Sequence, residues 1–228
     1  MSIPPPADAW ESANRDHLIA ELGMIRLLLR PDSTDADRRE AEEALALARH
    51  TLIGESALDR MARGFQLSAF ERALLLLVVG PELVAAVADE LMTACGSARP
   101  TFGVALSLLP GAHWSALTPS APLRRWNLVR LLDSSAPTYS PLVADERALH
   151  HLAGAGYLDP DLAAVARPAT AHPQLPGPLR QAASVVSDSW IRRRCVHLYG
   201  PQGANLRAVD EFRLTGGLRI KDVELPLD

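Results

Sequence analysis

The sequence is poor in lysine, in aromatic residues and in net positive charge. Lys221 is the only lysine among 23 basic residues, so arginine carries nearly all of the positive charge. Aromatic residues make up 5% of the chain, so Leu, Ala and Val must fill most of a hydrophobic core. Because 27 acidic residues give a net charge of −4, a general attraction to nucleic acid or to anionic membranes is excluded.

Cysteines and long apolar runs are also scarce. Cys95 and Cys195 are far apart and have no Cys or His neighbour at metal-ligand spacing, which favours two reduced thiols packed as small hydrophobic side chains. The longest strictly apolar run, residues 73–79, is too short to span a membrane. The first residues lack the basic and apolar regions of a signal peptide, so we expect a cytoplasmic protein.

What the chain does contain predicts a mainly helical protein with a small amount of β-structure. Apolar residues recur at helical spacing over residues 18–29, and Pro31 is expected to end that helix. Residues 33–37 offer N-cap side chains for a second helix, which is rich in acids and arginine near its start. The pattern predicts a helical hairpin over residues 1–62.

A different pattern occupies residues 63–160. Ser68 and Glu71 form a capping box for a buried helix, which Gly80-Pro81 is expected to break. Helices are predicted over residues 69–79, 82–94, 102–109 and 146–153, and strands over residues 124–132 and 139–143. Three helices followed by a two-stranded hairpin is the order of a winged-helix domain.

The last part of the chain predicts a linker followed by part of an α/β domain. Four prolines between residues 167 and 178 indicate a stiff linker, which together with a helix fills residues 161–190. Residues 191–228 then give a strand at 195–199, a glycine-rich turn, a helix and a second strand at 218–225. This order predicts a truncated P-loop stub whose two strands run parallel.

The glycine-rich turn is the one segment with a specific chemical precedent. A strand that ends in such a turn before a helix presents backbone N–H groups to phosphate. Gly200 matches the first glycine of the phosphate-binding pattern, but Asn205 replaces the second and Leu206 replaces the lysine. Arg207, which replaces the Mg²⁺-binding hydroxyl, is a candidate anion clamp. The candidate cofactor-binding residues are Gly200, Pro201, Gly203, Asn205 and Arg207.

These replacements predict weak binding of ATP or ADP at most. A hydrogen bond to a charged group contributes roughly 1.5–3 kcal/mol, so losing the lysine would lower affinity about ten- to hundredfold. Taken alone, the turn fits an ordinary strand-to-helix loop equally well. No later strand supplies acidic residues for Mg²⁺ and water, so we predict no catalytic residue, no metal site and no ATP hydrolysis by this polypeptide.

DNA binding is the alternative that a winged helix raises. The predicted recognition element, residues 101–109, contains no Arg, Lys, Asn or Gln to contact base edges. Residues 63–155 contain seven Arg and seven acids, where a DNA-binding module shows a basic face. Arg124 and Arg125, beside Trp126, form one small basic spot. These observations disfavour DNA as the partner.

Several long phrases resemble a known family. They are FQLSAFERALLLLVVGPEL (65–83), PTFGVALSLLPGAHWSALTPSAPLRRWNLVRL (100–131), DERALHHLAG (145–154) and VHLYGPQGANLRA (196–208). In this order they are similar to the N-terminal region of bacterial AAA-family ATPases. Those proteins carry a variant winged-helix domain ahead of the ATPase module and are typically encoded with contractile injection systems.

The resemblance implies an adaptor domain that docks an ATPase ring onto a partner, with the P-loop beginning at Gly200. Of the family's loop pattern, only Gly200, Pro201 and Gly203 are retained. The leading expectation is therefore protein–protein interaction, with injection-system components or with further copies of the chain. Residual nucleotide binding without hydrolysis and a winged-helix DNA-binding regulator are the alternatives.

Overall fold

The computed structural model describes residues 7–156, 166–168 and 218–220, which fall into two compact units, Met1–Tyr157 and Leu158–Asp228. The first unit begins with the predicted hairpin of α1 (Ala7–Leu29) and α2 (Asp35–Thr51). At the start of α2 the Asp37 amide donates to Thr34 Oγ1 at 3.2 Å, and the Thr34 amide donates to Asp37 Oδ2 at 2.8 Å. This capping box satisfies two amides that the helix itself leaves free.

A separate helix follows the hairpin. Helix α3 (Ala57–Phe65) starts at the N-cap Ser56, whose hydroxyl accepts the Asp59 amide at 3.0 Å. The hairpin predicted to continue to residue 62 therefore ends at Thr51, and the expected boundary between residues 62 and 63 lies inside α3. The signals for this break, Gly54 with φ 91° and the N-cap Ser56, are present in the sequence but were not used to separate the two helices.

Helix α4 (Ala69–Leu83) confirms the predicted capping box but not the predicted break. The Glu71 amide donates to Ser68 Oγ at 3.2 Å, and the Ser68 amide donates to Glu71 Oε2 at 2.8 Å. The helix then continues through Pro81 to Leu83, so the expected end at Gly80-Pro81 is wrong. A proline this close to the C-terminus of a helix removes one backbone hydrogen bond, and the burial of nearly the whole helix outweighs that loss.

Gly80 has a packing role in α4. A Cβ atom at this position would lie 2.9 Å from Val87 Cγ1 and 3.2 Å from Leu22 Cδ2. Glycine therefore allows α1 and α5 (Ala85–Cys95) to approach the same point of α4. Cys95, at the last residue of α5, is a free thiol as expected, but it is exposed rather than packed.

The rest of the first unit forms a small sheet surrounded by short helices. The elements are α6 (Phe102–Leu108), a 3₁₀ turn (Trp114–Leu117), α7 (Pro122–Arg125), β1 (Val129–Leu131), β2 (Leu142–Ala144) and α8 (Glu146–Leu152). Strands β1 and β2 pair antiparallel with Arg130 opposite Val143, which confirms the predicted hairpin with shorter strands. An isolated bridge between Thr101 and Pro141 extends the sheet.

The strand predicted over residues 124–132 is correct only in its last part. Pro122 at the first helical position instead favours the short helix α7, and the Trp126 amide donates to the Pro122 carbonyl at 3.1 Å. Asn127 then takes a left-handed conformation with φ 53°, which reverses the chain into β1. Leu128 and Val129 are both buried although they are adjacent, so the burial does not follow the alternation that the sequence indicated.

A single hydrophobic core joins the hairpin to the rest of the first unit. The apolar face of α1 and most of α4 pack with one side of α3, α5, α6, α8 and the sheet. Its large, fully buried side chains include Leu22, Leu58, Phe70, Leu74, Leu91, Leu123 and Leu152. The hairpin is therefore part of the same folded body as the β1–β2 hairpin.

In the second unit the structure describes one strand pair. β3 (Ala166–Pro168) and β4 (Leu218–Ile220) are antiparallel, with Arg167 opposite Arg219. The predicted strand at 218–225 is present in its first three residues, but its described partner comes from the segment predicted as the linker. The other predicted strand, 195–199, lies outside the described residues.

Candidate protein-interaction surface

The element directly before the β-hairpin is not the one that the sequence indicated. Residues 101–109 were expected in the recognition position, but the 3₁₀ turn and α7 lie between α6 and β1. The helix that precedes the hairpin is therefore α7, which has four residues, Pro122–Arg125. One turn rises only about 6 Å, too little to lay several side chains along a DNA groove.

The two arginines of α7 are engaged within the protein. Arg124 Nη1 donates to the Leu117 carbonyl oxygen at 2.8 Å, which ties α7 to the preceding 3₁₀ turn. The Arg125 guanidinium lies over the Trp126 ring, 5.3 Å from its centroid. The two arginines of the basic spot therefore make local contacts. Arg124 stabilises the preceding 3₁₀ turn, and Arg125 stabilises the indole ring of Trp126.

The loop between β1 and β2, residues 132–141, carries no basic side chain. Its one charged group, Asp133, accepts the Ser135 amide at 2.8 Å and the Ser135 hydroxyl at 2.7 Å, and these bonds lower the pKa of Asp133. Leu132 and Tyr139 are exposed, the latter by 82%. This loop presents apolar surface and one carboxylate, which suits a protein better than a phosphate backbone.

The comparison with family models decides the fold. Residues 29–166, more than half of the chain, match the variant winged helix domain. The chain belongs to this family. No curated protein and no solved structure matches it. The winged-helix order predicted from the sequence is thereby confirmed, and the matched range begins at the end of α1 and includes α2 and α3.

A groove between α3 and α8, here called the α3–α8 groove, opens on the surface of the first unit. It has a volume of about 570 Å³ and is lined by Arg60, Met61, Phe65, Trp126, Asn127, Leu128, Asp145, Arg147, Ala148 and His151. The buried side chains of Met61, Leu128 and Ala148 make an apolar floor. Charged and aromatic side chains form the rim.

The rim of the α3–α8 groove holds an aromatic pair, of which Trp126 is exposed and Phe65 is partly buried. Trp126 is 52% exposed, and its ring packs against Phe65 at a centroid distance of 5.7 Å. The Arg60 guanidinium stacks over the Trp10 ring at 4.2 Å. The pKa of His151 is lowered by desolvation of the ring and by the charge of Arg60. The sequence drew attention to Trp126 but gave no sign that α3 and α8 lie beside it.

A second hollow lies beside the loop between β1 and β2. It has a volume of about 440 Å³, and its lining includes Trp114, Pro119, Arg124 and Pro137. Trp114 is exposed by 62%. The neighbouring His113 bonds to Ser68 Oγ at 3.0 Å and packs against Phe70 at a centroid distance of 5.2 Å, which ties this loop to the start of α4.

A network of ion pairs lies inside the first unit, and the sequence analysis did not predict it. Glu21, on the buried side of α1, accepts hydrogen bonds from Arg72 and Arg49. Burial alone would raise the pKa of Glu21, but these bonds outweigh it and lower the pKa. A carboxylate on the apolar face of α1 was the available signal, and its partners are remote in sequence.

The predicted nucleotide-binding residues cannot be placed in this geometry. Gly200, Pro201, Gly203, Asn205 and Arg207 all lie outside the described residues. Within the described ranges, no group of three or more His, Cys, Asp or Glu side chains could hold a metal ion. No helix there is long and apolar enough to cross a membrane.

Proposed function

We propose that this chain is a protein-interaction adaptor, in which a variant winged-helix domain docks a cytoplasmic AAA-family ATPase onto a contractile injection system. The observation that carries the choice of a protein partner is α7: the helix before the β-hairpin has four residues, and both of its arginines are engaged within the fold. The exposed Leu132 and Tyr139 of the adjoining loop support the same choice. The ATPase and injection-system context is supported by the sequence resemblance.

The second candidate function is a DNA-binding regulator. The winged-helix family supports it, and Arg130 on β1 and Arg99 before α6 are exposed cations. A titration of fluorescent duplex DNA at low salt separates the two functions. If the chain is an adaptor, it should not bind the duplex even at low salt. Binding that weakens as the salt concentration is raised would instead support the DNA-binding regulator.

The positive test of the adaptor is complex formation. The full chain would be mixed in turn with an AAA-family ATPase and with the sheath and tube proteins of a contractile injection system, and the mass of each mixture measured by light scattering. A stable complex with at least one of them is expected, and its absence with all of them would contradict the proposal. Titration calorimetry with ATP and ADP, with and without Mg²⁺, tests residual nucleotide binding at Gly200 to Arg207.

A further inference from the structure

We propose that the α3–α8 groove binds a second copy of this chain through the exposed face of α2. The α2 stripe, as we name it, consists of Glu40, Glu43 and Leu47, which lie at positions i, i+3 and i+7 and therefore share one side of the helix. All three are exposed, Leu47 by 68%. An exposed leucine next to two carboxylates is a helix face without a partner among residues 7–156.

Charge complementarity joins this stripe to the groove. Arg60, at the rim, contacts Trp10 and forms no ion pair within residues 7–156. Glu40 and Glu43 likewise form no ion pair in that range. The cation of Arg60 on one surface and a carboxylate on the other would each gain a partner when the two surfaces meet.

The shape of the groove suits one apolar side chain from a helix. Its floor of Met61, Leu128 and Ala148 is buried, and the Trp126–Phe65 pair forms one wall. A volume of about 570 Å³ accommodates a leucine with the turn of helix that carries it. Half-exposed tryptophan beside an apolar floor is the typical anchor of a protein interface.

The contact joins two different surfaces, so a pair of copies retains one free groove on one copy and one free stripe on the other. Such a head-to-tail contact adds further copies until a ring closes, or continues as an open chain. An interface of one helix in one groove is small, so we expect a dissociation constant in the micromolar range, on the order of 1–100 μM.

The test uses sedimentation velocity of the full chain over this concentration range. Wild-type protein is expected to form species larger than a dimer as concentration rises. Trp126→Ala should raise the dissociation constant at least about tenfold, and Leu47→Ala about three- to tenfold. Trp114→Ala removes a tryptophan that is 62% exposed beside the β1–β2 loop, away from the groove, and it should leave self-association unchanged.

A mixing experiment tests the head-to-tail geometry directly. Trp126→Ala protein keeps its stripe and Leu47→Ala protein keeps its groove, so an equimolar mixture should form a one-to-one dimer as its main species. Reversed charges should behave similarly: Arg60→Glu and Glu43→Arg each weaken association, and mixing the two restores it. A chain that stays monomeric throughout, or association that these variants leave intact, would overturn the proposal. The outcome does not depend on the DNA titration, so the adaptor function and this contact can fail separately.

Discussion

Arg72 Nη2, in the first turn of α4, lies 2.9 Å from Glu21 Oε1 in the middle of α1 and 2.8 Å from Asp59 Oδ1 in α3. One guanidinium thus joins three helices of the winged-helix unit. The Glu21 side chain is only 6% exposed, so its charge depends on this pairing for compensation. The contact fixes how the helical hairpin packs against the core.

Replacing Arg72 with Met should destabilise the domain. The change leaves the buried Glu21 with only the more exposed Arg49, and removing one partner of a buried ion pair costs about 3–5 kcal/mol. Because Arg49 remains, we expect a loss of about 2–4 kcal/mol in the free energy of unfolding, measured by urea denaturation. Arg63→Met, which removes an exposed pair with Glu55, is the control and should have no measurable effect. Equal effects of the two variants would show that Arg72 has no special role.

Stability should fall as the solution becomes acidic, in two stages. Burial lowers the pKa of His17 despite the nearby Glu21, and His17 Nδ1 has no hydrogen-bond partner in the described part of the chain. A lowered histidine pKa means that the unfolded chain binds the proton first, so stability is lost as pH falls below the ordinary value of 6.5. His151 contributes in the same direction.

The second stage involves carboxylates. Burial opposes ionisation of Asp59 as it does of Glu21, but hydrogen bonds from Arg72 and Ser56 lower the pKa of Asp59. Groups of this kind stabilise the fold above their unfolded pKa and lose that contribution as pH falls below about 4. Urea denaturation between pH 8 and pH 3 measures both stages. His17→Gln should flatten the first and leave the second, and an unchanged profile would contradict the assignment.

Gly80→Ala should destabilise the protein although alanine favours helix. The new methyl group would meet Val87 at 2.9 Å and Leu22 at 3.2 Å, and overpacking of this kind costs about 1–3 kcal/mol. Gly23→Ala is the matched control, because Gly23 lies inside α1 with nothing within 4 Å of the added atom. That control should stabilise the helix by about 0.5–1 kcal/mol. Thermal unfolding should show a lower melting temperature for Gly80→Ala and a higher one for Gly23→Ala. A higher melting temperature for Gly80→Ala would refute the close approach of the helices at this position.

Asn127 should tolerate glycine but not valine. Its φ of 53° lies in the left-handed region, which costs a β-branched residue about 1–2 kcal/mol and costs glycine nothing. We therefore expect Asn127→Gly to match the wild type in urea denaturation and Asn127→Val to unfold earlier. Because Asn127 joins Trp126 to β1, Asn127→Val should also change the fluorescence of Trp126. Two variants of equal stability would show that this backbone conformation is not required.

Local chemistry in the sequence predicted several elements well. The caps at Thr34 and Ser68 act between residues three apart, so the start of α2 and of α4 could be seen without any tertiary information. The break expected at Pro81 failed for the opposite reason. Its local cost is smaller than the gain from burying α4 against α1 and α5, and that gain depends on residues remote in the chain.

The candidate site was predictable in only one residue. Trp126 stood out beside two arginines, but Met61, Phe65 and Ala148 read as ordinary positions of a helical stripe. They form a groove because α3 and α8, separated by more than half of the first unit, pack side by side in the fold. The hydrophobic periodicity of each helix shows which side of that helix is buried, but it does not show that α3 and α8 pack against each other.

By itself, the sequence determined that this protein is mainly helical with a small hairpin, because hydrophobic spacing and caps act over a few residues. Only the tertiary structure decided which helix precedes the hairpin, which charges are compensated within the fold and which surfaces remain open. Those properties depend on contacts between distant segments, such as Glu21 with Arg72 and Phe65 with Trp126. Such contacts form when the apolar faces of those segments are buried together.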